Sequence, residues 1–324
     1  MSQDTQQVAQ EAAYEPLRIR ERFRPWSWVS TALILVVMAV LLQALLTNPN
    51  FQWDVVAKYF LSSSILKGLV HTLELTALSM LIGVSLGTLL AVMRGSRNTA
   101  LSGASSAYIW FFRGTPLLVQ LIFWYNLSSL YPSLVLGIPF TGIDFGSVVT
   151  NTVISPYTAA LLGLGLNQAA YTAEIVRAGI LSVPHGQLDA AASFGMTRGL
   201  TLRRVVLPQA MRVIIPPVGN ETIGMLKTTS VVSVLAMPEL LYSAQIIYAR
   251  TYEIIPMLIV ASLWYLLVTT VLTLIQMQIE KKYAVRGPAA EDGTFKQFVR
   301  RAWRTHASRT GTSLAKANMT GARP

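Results

Sequence analysis

The chain has 324 residues, 52% of them hydrophobic and only 13% charged, with a net charge of +11 and a positive mean hydropathy of +0.48. That balance excludes an ordinary soluble domain and points to the bilayer as solvent. With no cysteine, disulfide frameworks, thiol catalysis and Cys-based metal centres are excluded, and the basic residues flank apolar runs without forming one patch, which argues against nucleic acid as a partner.

The first apolar run, Val29–Leu46, carries no charge and matches the roughly 20 residues that cross a bilayer core of about 30 Å. A cleaved signal peptide is the competing reading, but the run is long, it follows a hydrophilic stretch, and no small-x-small cleavage pattern comes after it. Further spans are predicted at Val70–Met93, Thr115–Tyr131, Tyr157–Val176, Val213–Leu235 and Ile254–Ile279. Six transmembrane helices are therefore expected.

Lys and Arg set the orientation, because the side richer in them stays in the cytoplasm. One side collects Arg18, Arg20, Arg22 and Arg24, then Arg94, Arg97 and Arg113, then Arg177, Arg198, Arg203, Arg204 and Arg212, and finally ten residues of the C-terminal tail. The other holds Lys58, Lys67 and Arg250. Both termini are expected in the cytoplasm of a multi-pass protein of the bacterial inner membrane. Arg113-Gly114-Thr115-Pro116 opens the third span; it reads either as a hinge or gate, or as a helix start with an interfacial anchor.

Between the fourth and fifth spans runs VPHGQLDAAASFGMTRGLTLRRVVLPQAMRVIIPP, strongly patterned for a connector. Asp189 to Phe194 is alanine-rich and helix-forming, Gly195 permits a left-handed turn, and Leu200–Val206 can form a second short helix. Pro208 is expected to interrupt helical hydrogen bonding before the fifth span. The alanine face, Ala190 and Ala191 in particular, would let another protein approach closely. The bland alternative is an amphipathic connector lying on the membrane surface.

Asp189-Ala190-Ala191, Gly195, Val205 and Leu207-Pro208, with Gly186 just before them, fall at the spacing of the cytoplasmic signature loop of binding-protein-dependent permeases. FFRGTPLLVQL (Phe111–Leu121) and AAYTAEIVRAGILSVPHGQ (Ala169–Gln187) resemble the polar amino-acid branch of that family. The resemblance covers roughly Gly68 to Tyr283 and departs from the consensus at Asp189, where glutamate is usual. It implies an all-α membrane protein with a five-helix permease core (68–283, coupling loop 186–208). Around that core stand a cytoplasmic N-terminal tail (1–25), an added N-terminal transmembrane helix with its periplasmic connector (26–67) and a basic cytoplasmic tail (284–324). It also implies the partners of an ATP-binding-cassette importer: two ATPase subunits, a second copy or a homologous permease, and a periplasmic or lipid-anchored amino-acid-binding protein.

The chain itself lacks the Gly-Lys-Ser/Thr of a phosphate-binding loop, so ATP and magnesium are expected on the partner ATPase and no cofactor or metal on this chain. His71, His185 and His306 have no metal-ligand spacing, and no nucleophile elbow or carboxylate pair suggests catalysis. An ATPase-independent channel or secondary transporter remains the alternative, although the inverted repeat common in such proteins is not found.

Polar residues at membrane depth need partners or a water-filled path. On the fourth span Asn167, Tyr171 and Glu174 recur at helical spacing. On the fifth, Asn220, Glu221, Gly224, Lys227 and Thr228 cluster, with Glu221 and Lys227 too far apart round the axis to pair. With Thr115 they form the candidate substrate pathway, able to receive a zwitterion; helix–helix hydrogen bonding, or for Glu174 a pair with Arg177, is the competing account. In the tail, Phe295, Phe298, Val299, Ala302 and Trp303 form an apolar stripe among basic residues. It reads as a helix on anionic lipid or as an unfolded tail.

Overall fold

The computed structural model describes residues 25–138 and 143–283. The N-terminal tail before Pro25 and the Phe295–Trp303 stripe lie outside the described residues.

Helix α1 (Pro25–Thr47) is apolar on every face and none of its membrane-length stretch is buried. It is tied down at its C-terminal end, where Trp53 Nε1 donates to the Leu45 carbonyl at 3.0 Å. A 3-10 turn (Pro49–Phe51) and α2 (Trp53–Phe60) then lead into α3 (Ser63–Arg94), a 32-residue helix that begins a few residues before the expected core boundary. Trp264 donates to the Phe60 carbonyl at 2.8 Å and stacks on its ring, fixing the connector to α12 (Ile254–Tyr283).

The third span departs from expectation. Instead of one helix over Thr115–Tyr131, the chain forms α4 (Thr99–Gly114), breaks at Thr115–Pro116, and resumes as α5 (Leu117–Tyr125). Nine residues rise only about 13 Å, so α5 alone cannot cross. Both pieces run along α7 (Pro156–Leu181): Ile109 packs with Ala169 and Ala173, Asn167 bonds Phe112, and Leu121 lies against Gly163. Arg113 therefore sits in the last turn of α4, not in a loop.

A feature with no counterpart in the sequence reading follows α5, an antiparallel hairpin of β1 (Ser133–Ile138) and β2 (Ile143–Val149), with Ser133 opposite Val149. A single turn, α6 (Thr150–Val153), joins it to α7, and the Thr150 hydroxyl donates to the Tyr131 carbonyl.

At the other end of α7 come α8 (His185–Ser193) and α9 (Arg198–Thr201), then a π segment (Leu202–Val206) running directly into α10 (Leu207–Thr228). The chain stays helical through Pro208, but the α pattern gives way just before it, where the Leu207 N–H reaches back five residues to the Leu202 carbonyl. The 3-10 segment Thr229–Leu235 and α11 (Leu240–Thr251) complete a pair bent by 45°.

By length and composition α1, α3 and α12 are each able to cross a membrane, and the bent pair makes a fourth candidate among the described residues. Helix α7 has 26 residues, but Asn167, Gln168, Glu174 and Arg177 lower its apolar character. The core is α7 against α3, made close by Gly87, where a β-carbon would fall 2.7 Å from the Ala169 carbonyl. Leu75, Leu121, Leu164 and Val232 fill the centre with almost no exposure.

Candidate functional site: polar clusters in the bundle and the α8–α9 hairpin

The predicted polar residues divide among three sets of hydrogen-bond partners. At the α4–α5 break Pro116 has no N–H for the Phe112 carbonyl, and two amides supply the donors instead. Gln120 Nε2 donates to the Phe112 carbonyl (3.0 Å), the Thr115 carbonyl (3.1 Å) and Thr115 Oγ1 (2.7 Å). Asn167 Nδ2 donates to the same Phe112 carbonyl (3.0 Å) and to Gln120 Oε1 (3.3 Å). Asn167 and Thr115 are thereby engaged in closing a broken helix, a burial that requires satisfied polar groups.

Further along the same face of α7 lies a charged cluster. Glu174 accepts from Arg94 at the end of α3 and from Arg177, whose Nε and terminal nitrogen lie 2.9 and 2.8 Å from Oε2. The expected pair with Arg177 is present, with Arg94 added. One turn away the Arg113 guanidinium lies over the Tyr171 ring, 5.3 Å from its centroid.

The α10 residues face elsewhere. Glu221 accepts from Gln168 Nε2 at 3.2 Å, and Gln168 is about 100° round α7 from Asn167. Asn220 Oδ1 accepts from Gln276 Nε2 of α12 at 2.9 Å, and that nitrogen also reaches the Pro216 carbonyl and Glu280. Thr228 bonds back to the Gly224 carbonyl at 3.0 Å, and a β-carbon on Gly224 would meet nothing within 4 Å. Lys227 is exposed and has no ion-pair partner among the described residues. Sequence reasoning weighed ionisable groups and overlooked the amides Gln120, Gln168 and Gln276; the same depth argument applied to each lone glutamine in an apolar run would have found them.

In the connector, Gly195 has φ +67°, the left-handed turn the sequence predicts, and the Met196 N–H donates to the Ala191 carbonyl at 3.0 Å, closing α8. Gly186, Asp189 and Ala190 are exposed at that end of the bundle, Leu207 is exposed on the first turn of α10 beside Pro208, and Phe194 stands 86% exposed. Ala191 differs from expectation: at 4% exposure it faces its own chain and offers nothing to a partner. The helical period explains this, since Leu188 and Ala191, three apart, turn inward together.

Residues 83–285 match the model of the binding-protein-dependent transport system inner membrane component family. The chain belongs to that family. This permease is 45% identical over 277 residues to the arginine transport system permease protein ArgU of Corynebacterium glutamicum, covering 85% of each chain. It is 37% identical over 245 residues to the L-cystine transport system permease protein TcyB of Bacillus subtilis, covering 74% of this chain and 95% of that one. Among solved structures it resembles an amino acid ABC transporter crystallised with histidines, with 37% identity, a TM-score of 0.58, and 68% of this chain and 94% of that one covered. The permease is the transmembrane subunit of an ATP-binding-cassette importer of polar amino acids in the inner membrane, which decides against an independent channel.

Proposed function

We propose that this permease imports a basic amino acid, arginine, using ATP hydrolysed on two partner subunits, and that the α8–α9 hairpin transmits their movement. ATP and magnesium belong to those partners, and no cofactor to this chain. The substrate reading rests on the 45% identity to the C. glutamicum arginine permease. The coupling reading rests on one observation: an exposed hairpin, bent at Gly195 and bearing exposed Phe194, joins α7 to α10 through short helices. Aromatic side chains that project like this act as anchors in protein interfaces.

In this reading the hairpin end and both termini face the cytoplasm, consistent with the arginines at 198, 203, 204 and 212. The β1–β2 hairpin and the α11–α12 junction then face the periplasm, where a soluble amino-acid-binding protein delivers substrate. A second permease copy or homologue completes the pathway.

The test is reconstitution with the ATPase and the binding protein in vesicles. ATP-dependent uptake of arginine is expected, exceeding that of glutamine, glutamate and cystine. Uptake without ATP, or equal uptake of all four, contradicts the proposal.

A further inference from the structure

The outer side of the α4–α7 contact carries more positive charge than the bundle neutralises. Arg94, Ser106, Trp110, Arg113, Tyr171 and Glu174 line an open groove of about 440 Å³. Glu174 is the only carboxylate among these, and it is shared by Arg94 and Arg177. Arg113 lies over the Tyr171 ring, and among the described residues no carboxylate is within salt-bridge distance of it. Three guanidiniums against one carboxylate leave two positive charges in surplus.

The cations gather at the level of lipid headgroups. Helix α3 has 32 residues, about 48 Å at 1.5 Å per residue, so its ends stand outside a bilayer core of about 30 Å. Arg94 is its last residue, and Arg177 stands one turn before α7 ends at Leu181, the end that leads into the α8–α9 hairpin. Ser102 Oγ donates to the Arg94 carbonyl at 3.1 Å, which sets the start of α4 at the same level. Arg113 is rooted further along α4, but helical side chains lean toward the N-terminus of their helix, here the Arg94 end, and a long arginine stem carries its charge toward the membrane surface. It thereby shares the groove with Arg94. Trp110, 74% exposed, also lines the groove; indole rings concentrate at headgroup level, where an apolar body and a polar N–H are both accommodated.

We infer that this groove binds the phosphate of an anionic phospholipid from the leaflet at the hairpin end of the bundle. Basic pockets between transmembrane helices receive such headgroups, and a guanidinium pairs with phosphate through two parallel hydrogen bonds. The acyl chains then lie along the lipid-facing side of α4, where Phe111 is half exposed. Charge separates this ligand from the proposed substrate. Arginine is a net cation that two surplus guanidiniums repel, whereas an anionic lipid relieves their mutual repulsion. One phosphate in the groove ties α3, α4 and α7 together at the base of the α8–α9 hairpin, a role beyond the proposed import.

The cysteine-free chain permits a direct test. Ser106→Cys reports the groove, and Ala100→Cys, about 240° away round α4, is the reference. Each is placed in the complex with its ATPase in nanodiscs and followed by its rate of modification with a neutral, water-soluble maleimide. In phosphatidylcholine alone both cysteines should react. Adding phosphatidylglycerol should slow Ser106→Cys about threefold relative to Ala100→Cys, as expected of a site exposed to ligand at about twice its dissociation constant. Raised salt should weaken the effect. Arg113→Gln should abolish the slowing, and Arg113→Lys should keep part of it, since the charge stays and the planar pairing is lost. Arg113 is exposed, so neither variant takes packing from the core.

No slowing by phosphatidylglycerol overturns the assignment, as does slowing that survives Arg113→Gln. A Ser106→Cys that stays unmodified in phosphatidylcholine also overturns it, because the second permease then covers the groove. Slowing by inorganic phosphate in phosphatidylcholine nanodiscs gives the cations to a soluble anion, and slowing by arginine or glutamine gives them to the substrate; either result sinks the lipid site.

Discussion

Two proline sites in this permease have opposite outcomes. At Thr115–Pro116 the helix ends, and Thr115 adopts an extended backbone (φ −109°, ψ 141°) before α5 begins. At Pro216–Pro217 α10 continues unbroken through both rings. A proline lacks an N–H in either place, and the residue before it is pushed toward extended geometry. What differs is the surroundings. At the first site Gln120 and Asn167 provide donors to the freed carbonyls of an open conformation. At the second, packing of α10 against α7 and α12 keeps the helix, and Gln276 makes one longer bond of 3.3 Å to the Pro216 carbonyl. Local chemistry permits a break; neighbouring side chains decide whether one persists.

The largest effect is expected from removing the donors at the break. Gln120→Leu strips the Thr115 carbonyl and hydroxyl of their partner and should destabilise the purified complex by about 1–3 kcal/mol, read as a lower thermal midpoint. An unchanged midpoint would mean that the break does not depend on Gln120. Gln276→Leu removes bonds at the unbroken site and should cost less, about 0.6 kcal/mol, the average found for hydrogen bonds between membrane helices. Equal losses in the two variants would erase the contrast. The smallest effect belongs to Pro217→Ala. It restores an N–H within a helix already formed, so the thermal midpoint should stay within the change produced by about 1 kcal/mol.

The same contrast explains what was legible in the sequence. The uncharged run of α1, the long apolar helices α3 and α12, and the left-handed turn at Gly195 follow from composition, period and backbone sterics, which are local. The polar residues of α7 and α10 stand out in the sequence, but the hydrogen-bond partner each takes does not. Asn167 and Glu221 looked like parts of one zwitterion site, whereas α7 turns Asn167 toward Phe112 and presents Gln168 to Glu221. Which residue meets which depends on the rotation of α7 against α4 and α10, and no period within one helix specifies that. Arg113 was placed in a flanking loop because α4, with its serines and threonine, reads as polar. In fact Ser105 Oγ spends its hydrogen bond on the Leu90 carbonyl at 2.7 Å, inside the packing. The β1–β2 hairpin was missed because its strands are short and interrupted by glycine.

The α8–α9 hairpin carries the central claim, that partner movement enters the membrane core there. Gly195 has open space around it, so a substituent meets no neighbour and acts only through backbone strain at φ +67°. Phe194 is 86% exposed and its truncation removes nothing from the core. The decisive measurement is therefore ATP hydrolysis and arginine uptake, side by side, in vesicles holding the full complex with Gly195→Val or Phe194→Ala. Membrane insertion should persist in both, Phe194→Ala should lose ATPase subunits on purification, and uptake per ATP should fall by about tenfold in Gly195→Val, corresponding to 1.4 kcal/mol of lost coupling. Wild-type assembly, hydrolysis and uptake in both variants would contradict the account and leave the hairpin a surface connector.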